Sequence, residues 1–142
     1  MVEKHLRSIA PHLAAVVQDW GGFEKFVAEI HAEKGVQVTL GEEFTGRSGV
    51  WKVDVAIRYK KGLHQYLTIA ECKYWTSAVG RLHIANLVAC RNEIKADKAV
   101  IFTTIGFESG AESFAKDNGV EVYVVREPTD DEWGLPGRNV WV

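Results

Sequence analysis

Trp51 to Lys73 reads WKVDVAIRYKKGLHQYLTIAECK, and this stretch decides the fold. Trp51, Val53, Val55, Ile57 and Tyr59 alternate with Lys52, Asp54, Ala56 and Arg58, a period of two that puts the odd positions on one face of a strand. Lys60-Lys61-Gly62 supplies a turn with glycine where a positive φ costs least, and residues 64–73 return as a second strand. The two form a β-hairpin. Charged residues interrupt both strands, Asp54 in the first and Glu71 and Lys73 in the second. Charges inside an otherwise core-forming pattern tend to mark functional positions.

Upstream of the hairpin, Val36, Val38 and Leu40 alternate with Gln37 and Thr39 and predict another strand, while residues 41–49 have the Gly, Ser and Thr content of a loop. Phe23, Phe26, Val27 and Ile30 make an apolar stripe at helical spacing, predicting a helix over 22–34 that stops at Gly35. Leu6, Ile9, Leu13, Val16 and Val17 predict a further helix over 12–18, with Pro11 confined to its start. Downstream, Leu82, Ile84, Leu87, Val88 and Ile94 give the broad apolar face of a helix over 79–96. Residues 98–104, KAVIFTT, are almost continuously apolar, as in a central strand buried on both faces and parallel to a neighbour. A short helix over 108–118 and a strand over 120–125 complete the order α-α-β-β-β-α-β-α-β. A hairpin joined to crossover units is an α/β fold with a mixed β-sheet and helices on both faces. Residues 127–142 show no period and predict an irregular tail that contains Trp133 and Trp141.

The 142 residues suit one domain, and 46% hydrophobic content is enough for a core that needs neither disulfides nor structural metal. A formal net charge of −2 excludes a strongly basic DNA-coating protein and a disordered acidic segment. Cys72 and Cys90 form no CxxC, and the five histidines show no HxH or HExxH, which argues against zinc. Neither GxxxxGK[ST] nor a strand-linked GxGxxG occurs. No apolar run reaches the roughly 20 residues of a membrane span, and the first residues lack a signal-peptide core. A soluble protein of the reducing cytoplasm is expected.

Side chains two apart in a strand share a face, so Glu71 and Lys73 point together while Cys72 enters the opposite layer. Sixteen residues separate Asp54 from Glu71, enough for two strands and a tight turn, and the right register brings Asp54, Glu71 and Lys73 to one end of the hairpin. Carboxylates that close together repel, raising the pKa of one unless a cation lies between them. Hard oxygen donors suit Mg²⁺, with Mn²⁺ as a substitute, because Mg²⁺ takes one or two carboxylates plus substrate phosphate oxygens. Lys73 is then placed to position water or to stabilise charge on a transition state. These are the parts of a phosphodiester hydrolase. The bland counterpart is a solvated ion pair worth at most about 1 kcal/mol.

The pattern resembles the PD-(D/E)xK nuclease superfamily, with Asp54 as the first acid and Glu71-Cys72-Lys73 as the E-x-K element. It is similar in particular to the Mrr-type restriction endonuclease branch. The similarity rests on Phe23-Glu24-Lys25-Phe26-Val27-Ala28 before Gly35, on Gly46-Arg47-Ser48-Gly49, and on Ala99 to Thr104 followed by Gly106-Phe107 and Ala111. It implies a nuclease domain over 1–126, with a core over 20–125 and an extra helix within 1–19, followed by the tail 127–142. The implied activity is that of a Mg²⁺-dependent DNA endonuclease of restriction or defence type. By the same resemblance, Asp54 and Glu71 bind the metal, the Cys72 backbone carbonyl adds a ligand, and Lys73 assists the water. An acid of the first core helix joins them, Glu24 before Glu29. Arg47 and Ser48 are candidate phosphate contacts.

Two departures stand out. Val53 replaces the usual proline, and Val50-Trp51-Lys52 replaces a glycine-rich approach, so Trp51 bears on how substrate enters. Because the charge is near neutral, a homodimer or a DNA-recognition domain of a longer parent protein is expected to supply affinity for DNA. Two alternatives stay open at this level: a catalytically inactive nuclease-fold DNA-binding or interaction module, and a Holliday-junction-resolvase-like nuclease sharing the same triad.

Overall fold

In the computed structural model, residues 20–74 and 77–126 are described; the helix expected over 12–18 and the tail 127–142 lie outside them. The apolar stripe folds as α1 (Trp20–Ile30), with Phe23, Phe26, Val27 and Ile30 buried. Gly35, at φ +84°, turns the chain into the sheet, a conformation that glycine takes without a Cβ penalty. An antiparallel meander follows, made of β1 (Val36–Gly46), β2 (Gly49–Lys61) and β3 (His64–Lys73). Two parallel strands extend it, β4 (Lys98–Thr103) after α2 (Arg81–Ile94) and β5 (Val120–Val124) after α3 (Ala111–Asp117). The strand order is β1-β2-β3-β4-β5, a mixed α/β sheet in the expected element order. The apolar run forms β4, which lies between β3 and β5 and is parallel to both.

Helices cover both faces. Phe23, Phe26 and Val27 of α1 pack on Val55, Ile57, Ala70, Cys72, Val100 and Phe102. On the other side, Ile84, Leu87 and Cys90 of α2 and Ala111 and Ala115 of α3 pack on Ala56, Ile69, Ala99 and Ile101. Each fully buried large side chain here contributes about 1.5–3 kcal/mol. Helix ends fall short of the periodicity for local reasons: Val79 bridges to Phe107 rather than entering α2, and Gly110 at φ +83° delays the start of α3. Among the described residues no helix is long and apolar enough to cross a membrane.

Two sequence expectations need correction. Residues 41–49 are not a loop, because β1 continues to Gly46 and only Arg47 and Ser48 form the turn. Cross-strand partners hold this extension: Arg58 grips Glu42 through both guanidinium nitrogens and lies 5.5 Å over the Phe44 ring. Nor do the odd positions of β2 share one face along its whole length. Val55 and Ile57 belong to the α1 layer, whereas Trp51 and Val53 belong to the α2 layer. The paired strand crosses at the same level, with Val36 and Val38 on the α1 side and Phe44 on the α2 side. Gly41, at φ +63°, stands opposite Asp54 in an unshifted register, and its positive φ rotates β1 while β2 follows through the ladder. Asp54 therefore sits at the crossover, within five consecutive buried residues, Val53 to Ile57.

Candidate active site

The β2–β3 ladder starts at Lys61↔His64 and stops at Val55↔Ala70, while β3 keeps β4 as its other neighbour through Lys73↔Thr103. Past that point the β2-facing backbone of Cys72 has lost its strand partner, and side chains take over. Asp54 Oδ2 accepts the Cys72 N–H at 2.9 Å, and the Trp20 indole N–H donates to the Cys72 carbonyl at 3.1 Å. Leaving such a group unsatisfied when buried costs about 1–3 kcal/mol. Asp54, only 8% exposed, thus closes the sheet in place of a strand bond.

The remaining charges gather around it. Glu71 occupies the α2 face beside Asn86 and Cys90, and Lys73 Nζ lies 3.3 Å from Glu71 Oε1. Partial burial, then the Asp54 charge, pushes the Glu71 carboxyl up to about 7, with Lys73 opposing the rise. Glu24 comes from α1 on the other side, and burial followed by the Asp54 charge pushes it up to about 7 as well. Asp54, at the crossover, is the point both acids reach. Glu24, not Glu29, is the α1 acid that stands against it.

Two carboxyls with raised proton affinity around a third acid mark a place short of positive charge, and their hard oxygens fit a divalent cation of the Mg²⁺ class. The Cys72 carbonyl, already bonded to Trp20, retains a second lone pair. Among the described residues no group of three or more Cys, His, Asp or Glu side chains is placed to hold a metal ion by itself. Cys72 and Cys90 are buried and free, and burial raises both thiols, Cys90 to about 11, so neither is a ready nucleophile.

Arg47 and Ser48 are not gathered with these acids; they form the β1–β2 turn. Ser48 is engaged by Glu93 of α2, donating its N–H to Oε1 at 2.8 Å and its Oγ–H to Oε2 at 2.7 Å. These bonds hold the Glu93 carboxyl below the usual carboxylate range. Three neighbours of the site escaped the sequence reading: Trp20, Glu93 and Asn86. Their partners lie far along the chain, 52 residues for Trp20–Cys72 and 45 for Ser48–Glu93, and no local pattern signals them.

No curated protein matches the chain. Among solved structures it is similar to AF1548, a protein of unknown function, with a TM-score of 0.61 and 19% identity, covering 70% of this chain and 54% of that one. It is also similar to Can2 from Sulfobacillus thermosulfidooxidans in complex with cyclic tetra-adenylate, with a TM-score of 0.59 and 22% identity, covering 72% and 32%. A third is the DNA modification-dependent restriction endonuclease AspBHI, with a TM-score of 0.57 and 16% identity, covering 85% and 32%. The chain spans 32% to 54% of the length of these proteins, and at such identities they establish a shared fold. The restriction endonuclease family Mrr_cat matches residues 17–127, a span that includes Glu24, Asp54, Glu71 and Lys73. With the crossover sheet and the clustered acids, that match places the chain in the Mrr_cat restriction endonuclease family.

Proposed function

We propose that this chain is the catalytic domain of a divalent-metal-dependent DNA endonuclease of restriction type, with residues 1–126 as the domain around the core 20–125. The observation that carries the reading is the opening of the β2–β3 ladder at Asp54, which draws Glu71, Lys73 and Glu24 around one buried carboxylate. Family membership supports the reaction class.

Asp54 and Glu71 hold Mg²⁺ or Mn²⁺ in this reading, with the Cys72 carbonyl as a third protein donor. A cation held there would supply Lewis-acid charge and lower the pKa of a bound water. Lys73, paired with Glu71, faces the negative charge that develops on the phosphate and orients the attacking water. Glu24, which reaches Asp54 from α1, takes the proton of the attacking water. The net charge of −2 offers little counterion release, so a second copy or a DNA-reading module supplies most of the affinity. A cytoplasmic defence role belongs to the same proposal.

Supercoiled plasmid incubated with and without Mg²⁺, alongside Glu71→Gln, tests it. Nicking or linearisation by the wild type with metal alone is expected. No cleavage with Mg²⁺ or Mn²⁺, or equal cleavage by Glu71→Gln, overturns the reading and leaves an inert module. A parallel reaction on four-way junctions separates a junction resolvase from an enzyme of linear duplex.

A further inference from the structure

The nuclease chemistry does not use the Glu93 clasp. One carboxylate receives the Ser48 N–H and Oγ–H and also the indole N–H of Trp51, the last at 3.0 Å. The two Ser48 bonds already staple the turn to α2; the indole bond does something else, because it fixes the angle of a ring. Gly46 makes the fit tight. A Cβ there would lie 2.6 Å from Glu93 Oε1 and 3.0 Å from Trp51 Cδ1. The fixed ring packs on the α2 layer and remains half-buried. It walls a cavity of about 60 Å³ that Glu71 and Asn86 also line. Trp51 is three residues from Asp54 on the same strand.

We propose that Trp51 contacts substrate, its ring stacking on the nucleotide next to the scissile phosphate, and that Glu93 is the positioning residue that holds the ring. The inference rests on the nuclease reading. A phosphate drawn to Lys73 beside Glu71 would carry its adjoining nucleotide along the face that Trp51 also lines. Stacking of an unstacked base on an aromatic side chain is worth about 5- to 150-fold in affinity.

The test is steady-state cleavage of a duplex oligonucleotide at a mapped cut site, repeated with an abasic residue on either side of the cut. Trp51→Ala is expected to raise KM about 5- to 150-fold with kcat nearly unchanged. The abasic residue should cost the wild type a similar factor at one flank and cost Trp51→Ala nothing further. Glu93→Ala should raise KM as well, and Glu93→Gln, which keeps an acceptor oxygen, should recover it. Gly46→Ala, which crowds the clasp without touching either partner chemically, should act like Glu93→Ala. A Trp51→Ala enzyme with wild-type KM overturns the proposal, as does an abasic loss that is undiminished in that variant. If Trp51→Ala does not fold, the abasic comparison between wild type and Trp51→Leu, which fills space without an aromatic face, decides in the same way. Glu93 variants that lower thermal stability and leave KM unmoved reduce the clasp to a structural staple. An inactive wild type would instead sink the nuclease reading, a result distinct from all of these.

Discussion

The two ends of the β2–β3 hairpin are built from the same pair of strands and do opposite things. At the turn end the ladder is regular up to Lys61↔His64, Tyr59 and Tyr66 stack with ring centroids 5.3 Å apart, and Leu63 at the tip is 99% exposed. Backbone groups there satisfy one another and the side chains are left to solvent. At the other end, some 20 Å away at about 3.3 Å per residue, the ladder stops at Val55↔Ala70. There the backbone of Cys72 is handed to a carboxylate and an indole, and the charged side chains converge instead of spreading. Regular pairing keeps charges apart; a ladder that opens under cover of two helices brings them together.

Breaking the open end should therefore cost far more than breaking the turn. Asp54→Ala is expected to abolish cleavage and also to destabilise the fold by about 1–3 kcal/mol, since it orphans the buried Cys72 N–H. Asp54→Asn keeps an acceptor oxygen and should recover most of the stability but none of the cleavage. Urea denaturation beside a plasmid assay separates the two effects; wild-type stability in Asp54→Ala would show that the carboxylate does not close the sheet.

Glu71→Gln sharpens the contrast through pH. A carboxyl raised from 4.5 to about 7 binds more protons folded than unfolded between those values, so the stability it allows is full below about 4.5 and declines as pH rises toward 7. The metal-free wild type should lose Tm across that window. Glu71→Gln should have a shallower slope and a higher Tm at pH 7, with Glu24 retaining a smaller part of the slope. Identical slopes would mean that neither burial nor Asp54 raises the Glu71 carboxyl.

Smaller effects follow. Trp20→Phe removes the donor to the Cys72 carbonyl, and because Trp20 is 44% exposed, water replaces much of the bond, leaving a loss of about 0.5–1 kcal/mol by denaturation. At the regular end, Leu63→Ser should change stability by no more than about 0.5 kcal/mol. A loss of several kcal/mol there would erase the difference between the two ends.

Period counting found what is regular. The alternation of β2 and β3, the α1 stripe of Phe23, Phe26, Val27 and Ile30, and the apolar run of β4 all carry their structure in local spacing, and each formed. E-x-K spacing likewise put Glu71 and Lys73 on one face, where they pair. The misreading of the faces of β2 arises because counting by twos assumes a strand that keeps its faces. Gly41 breaks that assumption from the neighbouring strand, and nothing within Trp51 to Tyr59 announces it. Glu42 and Phe44 look like loop residues until Arg58 is folded against them. Trp20 and Glu93 matter only through partners supplied by the tertiary fold.

The most direct measurement is a calorimetric Mn²⁺ titration of the wild type and Glu71→Gln near pH 7, where Glu71 is about half protonated, in two buffers of different ionisation enthalpy. Saturable uptake with proton release by the wild type, both lost in Glu71→Gln, is the expected result, because a carboxylate must shed its proton to bind metal. Equal uptake by the two proteins without proton release would place the cation somewhere other than the opened end of the hairpin.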